Sequence, residues 1–432
     1  MSKAVTTYLR KRAVHEQCLL SSPPGEGVEM VVVIPVLAES ERLFLTLGDL
    51  AENDAALLVK TLVICVVNNR APEFAGEADC ADNQHTLARL SEFASAHPPL
   101  RLAWADAASP GKELGSKEGV GLARKIGLDW GLYVLSNNNA PHGPLISLDA
   151  DTRVAPNYLA VIHGFFAAKP RWAAVVDYAH PVAGACDETR AILAYELFLR
   201  YQELALHFAA SPYHYPAIGS TMVCTGEAYA AAGGMNRRQA GEDFYFLQQL
   251  TKTGWVERIW DTTVVPASRP SHRVPFGTGR KVGAFSRDED EAYLIYHPAT
   301  YDILGQWLRL ARRDLLDLEG GALQGLAAGI DVELGRFLGE QKFASAWDKI
   351  RTQCKTSEQR SRQFHGWFDG FRTLKLTHHL RDKGYPRQNL FEALGVIMER
   401  HGIEAGEELK AALRHDLDAQ RRVLTMLRRW RP

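Results

Sequence analysis

The first half of the chain alternates short, wholly apolar runs with segments of helical spacing. The apolar runs predict strands buried on both faces, as in parallel sheets, at residues 30–34, 62–67, 101–105 and 145–148. The segments between them predict helices at residues 39–50, 84–96 and 119–135. This order predicts an α/β fold in which helices cover both faces of the sheet.

After residue 151 the pattern becomes mixed, and beyond residue 293 it is helical throughout. Strands are predicted at residues 172–178 and 217–224, helices at 189–208 and 241–253, and no further strand in the C-terminal part. The predicted organisation is an N-terminal helix and linker over residues 1–27, a mixed α/β domain over 28–295 and a C-terminal helical region over 296–432.

Composition narrows the class of protein without naming a function. The 432 residues are 46% hydrophobic and 23% charged, which is typical of a globular chain. The formal net charge of -1 gives no overall basic field, so binding to nucleic acid is not expected. No apolar stretch reaches the roughly 18 residues of a membrane span, and the 6 cysteines form no CxxC pair. We therefore expect a cytoplasmic protein without a transmembrane segment.

Two aspartates directly follow the fourth predicted strand. Asp149 and Asp151 are separated by one residue, so on extended backbone their side chains point to the same side. Two carboxylates at the carboxyl end of a parallel strand offer hard oxygen ligands to Mg²⁺ or Mn²⁺. Such an ion would neutralise charge on a phosphate leaving group. The alternative is an ordinary strand-end turn, where aspartate is common.

A second acidic pair opens the helix predicted at residues 241–253. The helix dipole favours Glu242 and Asp243 in a first turn, which would account for both residues structurally. A carboxylate at a helix N-terminus beside a cleft is also well placed to accept a proton from an acceptor hydroxyl. The pattern leaves both interpretations open.

A third cluster lies near residue 272 and precedes a glycine-rich basic stretch at residues 275–281. A neutral histidine such as His272 can complete a metal shell. The basic stretch, which includes Arg280, could close over a diphosphate through backbone amides and cations, or it could be a solvated surface loop. The polar segment 109–119 allows the same two interpretations.

Five short segments, in this order along the chain, resemble the GT-A glycosyltransferases, in particular family 2. The match covers about residues 30–270. The matching segments are residues 31–39, similar to "VVIPxxNE"; 66–70, where the family has an Asp-Asp-Gly-Ser turn; 121–127, similar to "G…ARNxG"; 148–151, the D-x-D motif; and 233–235 with 241–243, similar to "GG…ED".

The resemblance implies the Rossmann-like GT-A mixed sheet, with a nucleotide-binding half over residues 28–152 and an acceptor half over 153–295. It implies a hexosyltransferase-type reaction that moves a single sugar from a UDP- or GDP-type nucleotide-diphospho-sugar to a hydroxyl acceptor with inversion. Asp243 would be the general base, with Glu242 beside it. Mn²⁺ or Mg²⁺ would be held by Asp151, Asp149 and His272. Contacts with the donor are expected from Pro35, Val36, Glu39, Asn68, Arg124, Asp149, Ala150, Gly219 and Arg280.

Two departures from the family pattern restrict what the resemblance implies. Asn68 and Asn69 stand where the family has a carboxylate, so the nucleobase stays open. The processive "QxxRW" signature is missing, so polymer synthesis is not expected. Retention of configuration also stays open, because related GT-A enzymes retain configuration with similar metal sites.

Two other functions would use a similar sheet. A nucleotidyltransferase that forms a sugar nucleotide would also carry metal-binding carboxylates, but residues 35–39 lack the Gly-rich basic loop of that class. A non-catalytic nucleotide-sugar-binding protein is the second alternative. The joint presence of Asp149, Asp151, Asp243 and His272 speaks against it.

The C-terminal segment 415–432 surrounds an apolar stripe with arginines. Such a helix could lie on an anionic membrane surface, which would suit a lipid-linked acceptor and a peripheral position at the inner membrane face. It could instead pack on its own domain or on a second subunit of an oligomer. The acceptor could equally be a small molecule.

Overall fold

The computed structural model describes residues 2–184, 186–267, 278–287, 289–311, 317–404 and 414–431. Within this part of the chain, contacts group the residues into two compact units. The first comprises Met1–Pro181 and Ala217–Arg280, and the second comprises Val182–Pro216 and Lys281–Pro432. Residues 182–216, which belong to the predicted acceptor half, thus group with the C-terminal helices, and the predicted boundary at residue 295 stays a prediction.

A sheet of eight strands forms the centre of the first unit, counted over the described residues. The strands lie in the order β3-β2-β1-β4-β7-β6-β8-β5. β1 to β4 are parallel, as are β6 and β8, whereas β7 and β5 run antiparallel to their neighbours. Their bounds are β1 (Met30–Val36), β2 (Thr61–Asn68), β3 (Leu102–Ala107), β4 (Pro144–Ser147), β5 (Arg153–Val154), β6 (Ala173–Tyr178), β7 (Met222–Thr225) and β8 (Val256–Val265).

Helices surround this sheet and form most of the second unit. In chain order they are α1 (Lys3–Lys11), α2 (Leu43–Ala51), α3 (Ala55–Leu58), α4 (Glu77–Ala96), α5 (Val120–Asn137), α6 (Tyr158–Ala168), α7 (Asp187–Phe208), α8 (Gly226–Ala231), α9 (Glu242–Thr253), α10 (Thr278–Ser286), α11 (Pro298–Leu310), α12 (Gly320–Ile330), α13 (Val332–Glu340), α14 (Phe343–Gln353), α15 (Ser357–Trp367), α16 (Gly370–Lys383), α17 (Leu390–Arg400) and α18 (Leu417–Arg429).

The central strands are buried on both faces because their sequences are apolar nearly throughout. Every residue of β1 and β2 is buried. β1 pairs with β2 from Met30 to Val36 without a register shift. Continuous apolar runs of this kind are typical of strands covered on both sides. The predicted α/β class, with a mixed sheet between helices and a helical C-terminal region, is confirmed.

Helix α5 lies close against the sheet because two of its glycines face the strands. A Cβ at Gly127 would overlap Cγ1 of Val33, and one at Gly131 would lie 2.7 Å from Cδ2 of Leu145. α5 runs back along the parallel strands, so its first turns stand at their carboxyl ends. The close approach thereby sets the depth at which Arg124 reaches that edge.

Strand β8 is the main element that the sequence pattern does not predict. Glu257, Arg258 and Asp261 interrupt its apolar alternation, and its register with β6 shifts between Val176 and Asp177. Arg258 is instead paired with the neighbouring strand, since its Nη2 donates to Oδ1 of Asp177 on β6 at 2.5 Å. A strand stabilised by such pairs carries no clear period in its sequence.

The second unit has an apolar core of its own. The large side chains buried at its centre include Trp307, Phe343, Trp347, Phe364 and Phe368. Two short strands, β9 (Leu294–Ile295) and β10 (Gln388–Asn389), pair there, although no strand was predicted beyond residue 293. A strand of two residues is too short to leave a periodic signal in the sequence.

Helix α18 contains the arginine-rich C-terminal segment. Its apolar side chains Val423, Leu424 and Leu427 are buried within the second unit. Arg428 donates to both carboxylate oxygens of Glu196 on α7, at 2.8 and 2.7 Å. Packing on its own unit was one of the predicted alternatives, and it covers the side that would enter a lipid surface. None of the described helices is both long and apolar enough to cross a membrane.

Candidate functional site

The carboxyl ends of the parallel strands gather residues from distant parts of the chain. Pro35 and Val36 end β1, Asn68 ends β2, and Asp149 follows β4 by two residues. Because these strands are parallel neighbours, their ends meet at one edge of the sheet. This is the edge at which α/β proteins bind ligands, as the sequence predicts for Pro35, Asn68 and Asp149.

Arg124 is the centre of a buried polar cluster at this edge. Its side chain is only 4% exposed. Its Nη2 donates to Oδ1 of Asp149 at 2.5 Å, and its Nε donates to Oε1 of Glu242 at 3.0 Å. Its Nη1 donates to Oγ of Ser147 at 2.6 Å and to the carbonyl oxygen of Gly219 at 3.4 Å. Four predicted site residues, from four separate stretches of sequence, therefore lie in direct contact.

Gly219 is required at its position because Arg124 occupies the space of a side chain. A Cβ there would overlap Nη2 of Arg124 and lie 3.3 Å from Oδ2 of Asp149. Gly219 opens a short 3-10 turn, Gly219–Thr221, that leads into β7. The predicted strand at 217–224 thus begins later than expected, because the chain first turns around the guanidinium.

The charges around Arg124 keep it ionised. Burial lowers its pKa, but the carboxylates of Asp149 and Glu242 outweigh burial and raise the pKa above its ordinary value. Arg124 is thus a fixed cation between two acidic side chains. In this arrangement the guanidinium orients the two carboxylates.

Asp243 has an unusual acidity for an aspartate. Burial and the adjacent charge of Glu242 raise its pKa to about 7, against the opposing effects of the Phe244 amide and Arg124. Its Oδ1 accepts a hydrogen bond from that amide at 2.7 Å. A carboxylate with a pKa near neutrality can take up and release a proton at working pH, as a general base must.

The residues at the ends of β1 and β2 form a second cluster, organised by Asn83. Its Oδ1 accepts from the amide of Ala38 at 2.9 Å, and its Nδ2 donates to the carbonyl of Asn68 at 3.0 Å and to Oδ1 of Asn69 at 2.9 Å. Ala38 has a φ of 52°, which is rare for a residue with a side chain. Asn83 therefore ties both strand ends together and holds this turn.

Two further side chains of α4 hold the same turn. Asp82 accepts from the amide and the hydroxyl of Ser40, at 3.1 and 2.5 Å, and Arg89 donates to the carbonyl of Ser40 at 3.0 Å. The sequence prediction named none of Asp82, Asn83 and Arg89, and because it began this helix at residue 84 it left Asp82 and Asn83 outside the helix. The helical spacing of Asn83 with the buried Leu90 was the available signal.

The other expected donor contacts lie at the same edge. Glu39, only 8% exposed, stands between β1 and α2. Nδ2 of the Asn68 side chain donates to the carbonyl of Val36 at 2.9 Å, so this side chain supports the β1 end. The carbonyl of Ala150 accepts from Oγ1 of Thr46 at 2.9 Å. Arg280 belongs to α10, and its side chain lies outside the described residues.

The proposed metal ligands are only partly described. Asp149 and Asp151 lie half-buried in the turn after β4, closed by a hydrogen bond from the Thr152 amide to the Asp149 carbonyl at 3.1 Å. His272, with the rest of residues 268–277, lies outside the described residues. Among the residues that the structure does describe, no group of three acidic, histidine or cysteine side chains gathers as a metal site.

The acidic side chains near this edge have the donor chemistry that a hard divalent cation prefers. Asp149, Glu242 and Asp243 lie around a single guanidinium, with Asp151 two residues beyond Asp149. Negative charge therefore exceeds positive charge, and the ligand atoms are carboxylate oxygens. Mg²⁺ and similar ions are commonly held by one or two such carboxylates, with water and phosphate oxygens completing the shell.

The segment 109–119 is held at several points. Lys112 pairs with Asp106 at 2.9 Å, and Leu114 exchanges backbone hydrogen bonds with residues 69 and 71. Gln239 donates to the carbonyl of Ser116 at 3.2 Å. These contacts anchor the segment beside the ends of β2 and β3. Contact with a diphosphate stays a prediction.

No family model and no curated protein sequence matches the chain. Among solved structures it is similar to S. aureus TarS 1-349 in complex with UDP-GlcNAc, with 11% identity and a TM-score of 0.40, over 83% of this chain and 99% of that one. It is also similar to glucosyl-3-phosphoglycerate synthase from Mycobacterium tuberculosis in complex with UDP, with 14% identity and a TM-score of 0.33, over 61% and 80%. These values are too low to assign an activity, which must rest on the residues themselves.

Proposed function

We propose that the chain is a GT-A glycosyltransferase that moves one sugar from a nucleotide-diphospho-sugar to a hydroxyl acceptor. One observation carries the proposal: Arg124 brings Asp149 of the D-x-D motif, Gly219 and Glu242 of the "ED" segment into contact at the carboxyl edge of parallel strands. These residues come from four separate segments, and those of Arg124, Asp149 and Glu242 resemble family motifs. Their convergence supports reading those motifs as one site.

In the proposed reaction the nucleoside diphosphate lies along the ends of β1 and β2, and Asp243 faces the acceptor. The carboxylate of Asp243 accepts the proton of the acceptor hydroxyl while that oxygen bonds to the anomeric carbon. The bond from the anomeric carbon to the diphosphate oxygen breaks in the same step, with inversion. The raised pKa of Asp243 makes it a stronger base than an ordinary aspartate.

The proposed cofactor is Mn²⁺ or Mg²⁺, held by Asp149 and Asp151 with His272 as a third ligand. When bound, it would supply positive charge to the diphosphate leaving group. Arg124 contributes by fixing one oxygen of Asp149, so that this carboxylate is oriented before substrate binds.

A thermal-shift panel of UDP-glucose, UDP-N-acetylglucosamine and GDP-mannose with MnCl₂ tests the proposal. A bound donor stabilises the folded state by mass action, so at least one should raise the melting temperature. Asp151→Asn should reduce both this shift and donor hydrolysis, whereas Glu92→Gln, which removes an exposed carboxylate of α4, should change neither.

Four outcomes would contradict the proposal in different ways. Absence of a shift with every nucleotide sugar would reject donor binding. Normal binding and turnover by Asp151→Asn would reject the metal role. Pyrophosphate release from a nucleoside triphosphate would identify a nucleotidyltransferase, and binding without hydrolysis or transfer would identify a binding protein.

A further inference from the structure

A second buried polar network lies on the other side of α5, and the proposed reaction uses none of it. Asp129 is fully buried and accepts four hydrogen bonds. Its donors are the hydroxyls of Tyr8 and Tyr229, both at 2.7 Å, the amide of Val14 at 2.8 Å and Nζ of Lys125 at 2.9 Å. Two of these four donors belong to the N-terminal segment.

Tyr8, on α1, contacts both charged members of this network. Its hydroxyl donates to Asp129 and accepts from Nζ of Lys125 at 2.6 Å. Lys125 is the residue next to Arg124 on α5. A buried ion pair is stable only when its hydrogen bonds are satisfied. Tyr8 therefore completes the Lys125–Asp129 charge pair, whose lysine directly follows Arg124 on α5.

Tyr8 also packs directly on the "GG" segment. Gly234 has a φ of 77°, and a Cβ there would overlap the hydroxyl of Tyr8. Its neighbour Gly233 has a φ of 86°, and a Cβ there would lie 2.7 Å from Nη1 of Arg12, also on the N-terminal segment. The left-handed backbone at both positions itself favours glycine, and at Gly234 the ring and hydroxyl of Tyr8 also fill the space of a side chain.

The segment that follows Gly234 leads straight to the Arg124 cluster. Nδ2 of Asn236 donates to the carbonyl of Glu242 at 2.8 Å. The carbonyl of Arg238 accepts from the amide of Gly121 at 3.1 Å, in the first turn of α5. A Cβ at Gly121 would lie 2.8 Å from the Asn236 carbonyl oxygen, so this contact is close-packed.

We infer that Tyr8 is a positioning residue for the acceptor side of the site. It holds residues 233–241 in place through Gly234, and these residues hold the first turn of α9, where Glu242 meets Arg124 and Asp243 stands as base. The inference rests on the proposed function for its catalytic meaning. The contact path itself is independent of any reaction.

The test compares two variants that each remove hydrogen bonding between the N-terminal segment and α5. Tyr8→Phe removes the hydroxyl that reaches Asp129 and Lys125. Trp130→Phe removes the bond from Nε1 to the carbonyl of Cys18, at 2.7 Å, and leaves residues 233–241 untouched. Both variants should lower the melting temperature, so stability alone does not separate them.

Two readouts do separate them. Hydrogen–deuterium exchange should rise at residues 233–243 in Tyr8→Phe but not in Trp130→Phe. Hydrolysis of the donor selected by the thermal-shift panel should fall about 10- to 100-fold in kcat for Tyr8→Phe, with the donor KM unchanged, because the base is displaced while the donor side is intact.

Equal exchange and equal kcat in the two variants would overturn the inference. If the wild-type chain hydrolyses no donor, the proposed function fails. Hydrogen–deuterium exchange alone then decides whether Tyr8 positions residues 233–243. Faster exchange at residues 233–243 in Tyr8→Phe alone would still support positioning by Tyr8. An unchanged exchange rate at these residues would refute it.

Discussion

No other amino acid could replace Arg124, because its one guanidinium contacts two carboxylates, a hydroxyl and a carbonyl. Lysine would supply the charge but not the planar fork that reaches Asp149 and Glu242 together. The side chain also fills the space that Gly219 leaves open. The Arg124 cluster therefore contributes to folding as well as to the site.

Arg124→Met should destabilise the chain by about 3–5 kcal/mol, because it leaves buried carboxylates without their partner. Lys60→Met removes a half-exposed pair with Glu29 and should cost at most about 1 kcal/mol. Urea unfolding measures both. An equal loss of unfolding free energy in the two variants would show that the ion pairs of Arg124 contribute no more to stability than an exposed pair.

Asp243 should give the activity a specific pH dependence. Turnover should rise with pH through about 7, since only the ionised carboxylate accepts the proton. Asp243→Asn should abolish this turnover. A pH–rate profile of donor hydrolysis checks the prediction, and an unchanged profile in Glu92→Gln is the control.

The same shift predicts a pH effect on stability. The folded pKa lies above the ordinary value of 3.8, so folded Asp243 keeps a proton that the unfolded chain loses. Stability therefore falls as pH rises from about 4 to about 7. The melting temperature of Asp243→Asn, relative to wild type, should increase over this range; a constant difference would contradict the shift.

At the scale of elements, side chains of α4 hold the ends of β1 and β2 together at the proposed donor side of the sheet edge. Asn83→Ala removes its bonds to Ala38, Asn68 and Asn69 and should destabilise the chain by about 1–3 kcal/mol. It should also weaken binding of the best nucleotide sugar about tenfold, since the turn at Ala38 loses its support. Calorimetric titration measures the affinity. Ser95→Ala, on an exposed turn of the same helix, should leave it unchanged.

Helix α18 should contribute to the stability of the protein through its buried contacts and not through its exposed arginines. Arg428→Met leaves the fully buried Glu196 without two hydrogen bonds and should cost about 1.5–3 kcal/mol. Arg429→Met changes the next, exposed residue and should have no measurable effect. Chemical unfolding compares the two, and a similar loss in both would argue against the Glu196 contact.

Sequence patterns predicted the strands that are apolar and buried throughout. They missed the strand whose polar side chains pair with residues of a neighbouring strand. β1, β2 and β4 are continuous apolar runs, and their ends were predicted to within two residues. β8 was missed because Arg258 needs Asp177, which lies 81 residues away. Asp149 and Glu242 were named from local motifs. Their shared contact with Arg124 could not be predicted, because no local spacing encodes it.

At the scale of the whole molecule, two units with separate cores should respond differently to ligand. The proposed donor contacts all lie in the first unit, within the described residues. A donor at 100 times its Kd should stabilise that unit by about 2.7 kcal/mol. Scanning calorimetry should show the gain in the transition of the first unit, and a shift confined to the other transition would contradict the placement of the site.

The Arg124 cluster also sets the order of events during synthesis. Its partners lie 25, 95 and 118 residues further along the chain, at Asp149, Gly219 and Glu242. A ribosome-bound chain that ends before residue 242 can form β1 to β4 but cannot complete the shell around the guanidinium. In the nascent protein Arg124 therefore has Asp149 but not Glu242 as a partner until α9 emerges. The site can assemble only when the first unit is nearly complete.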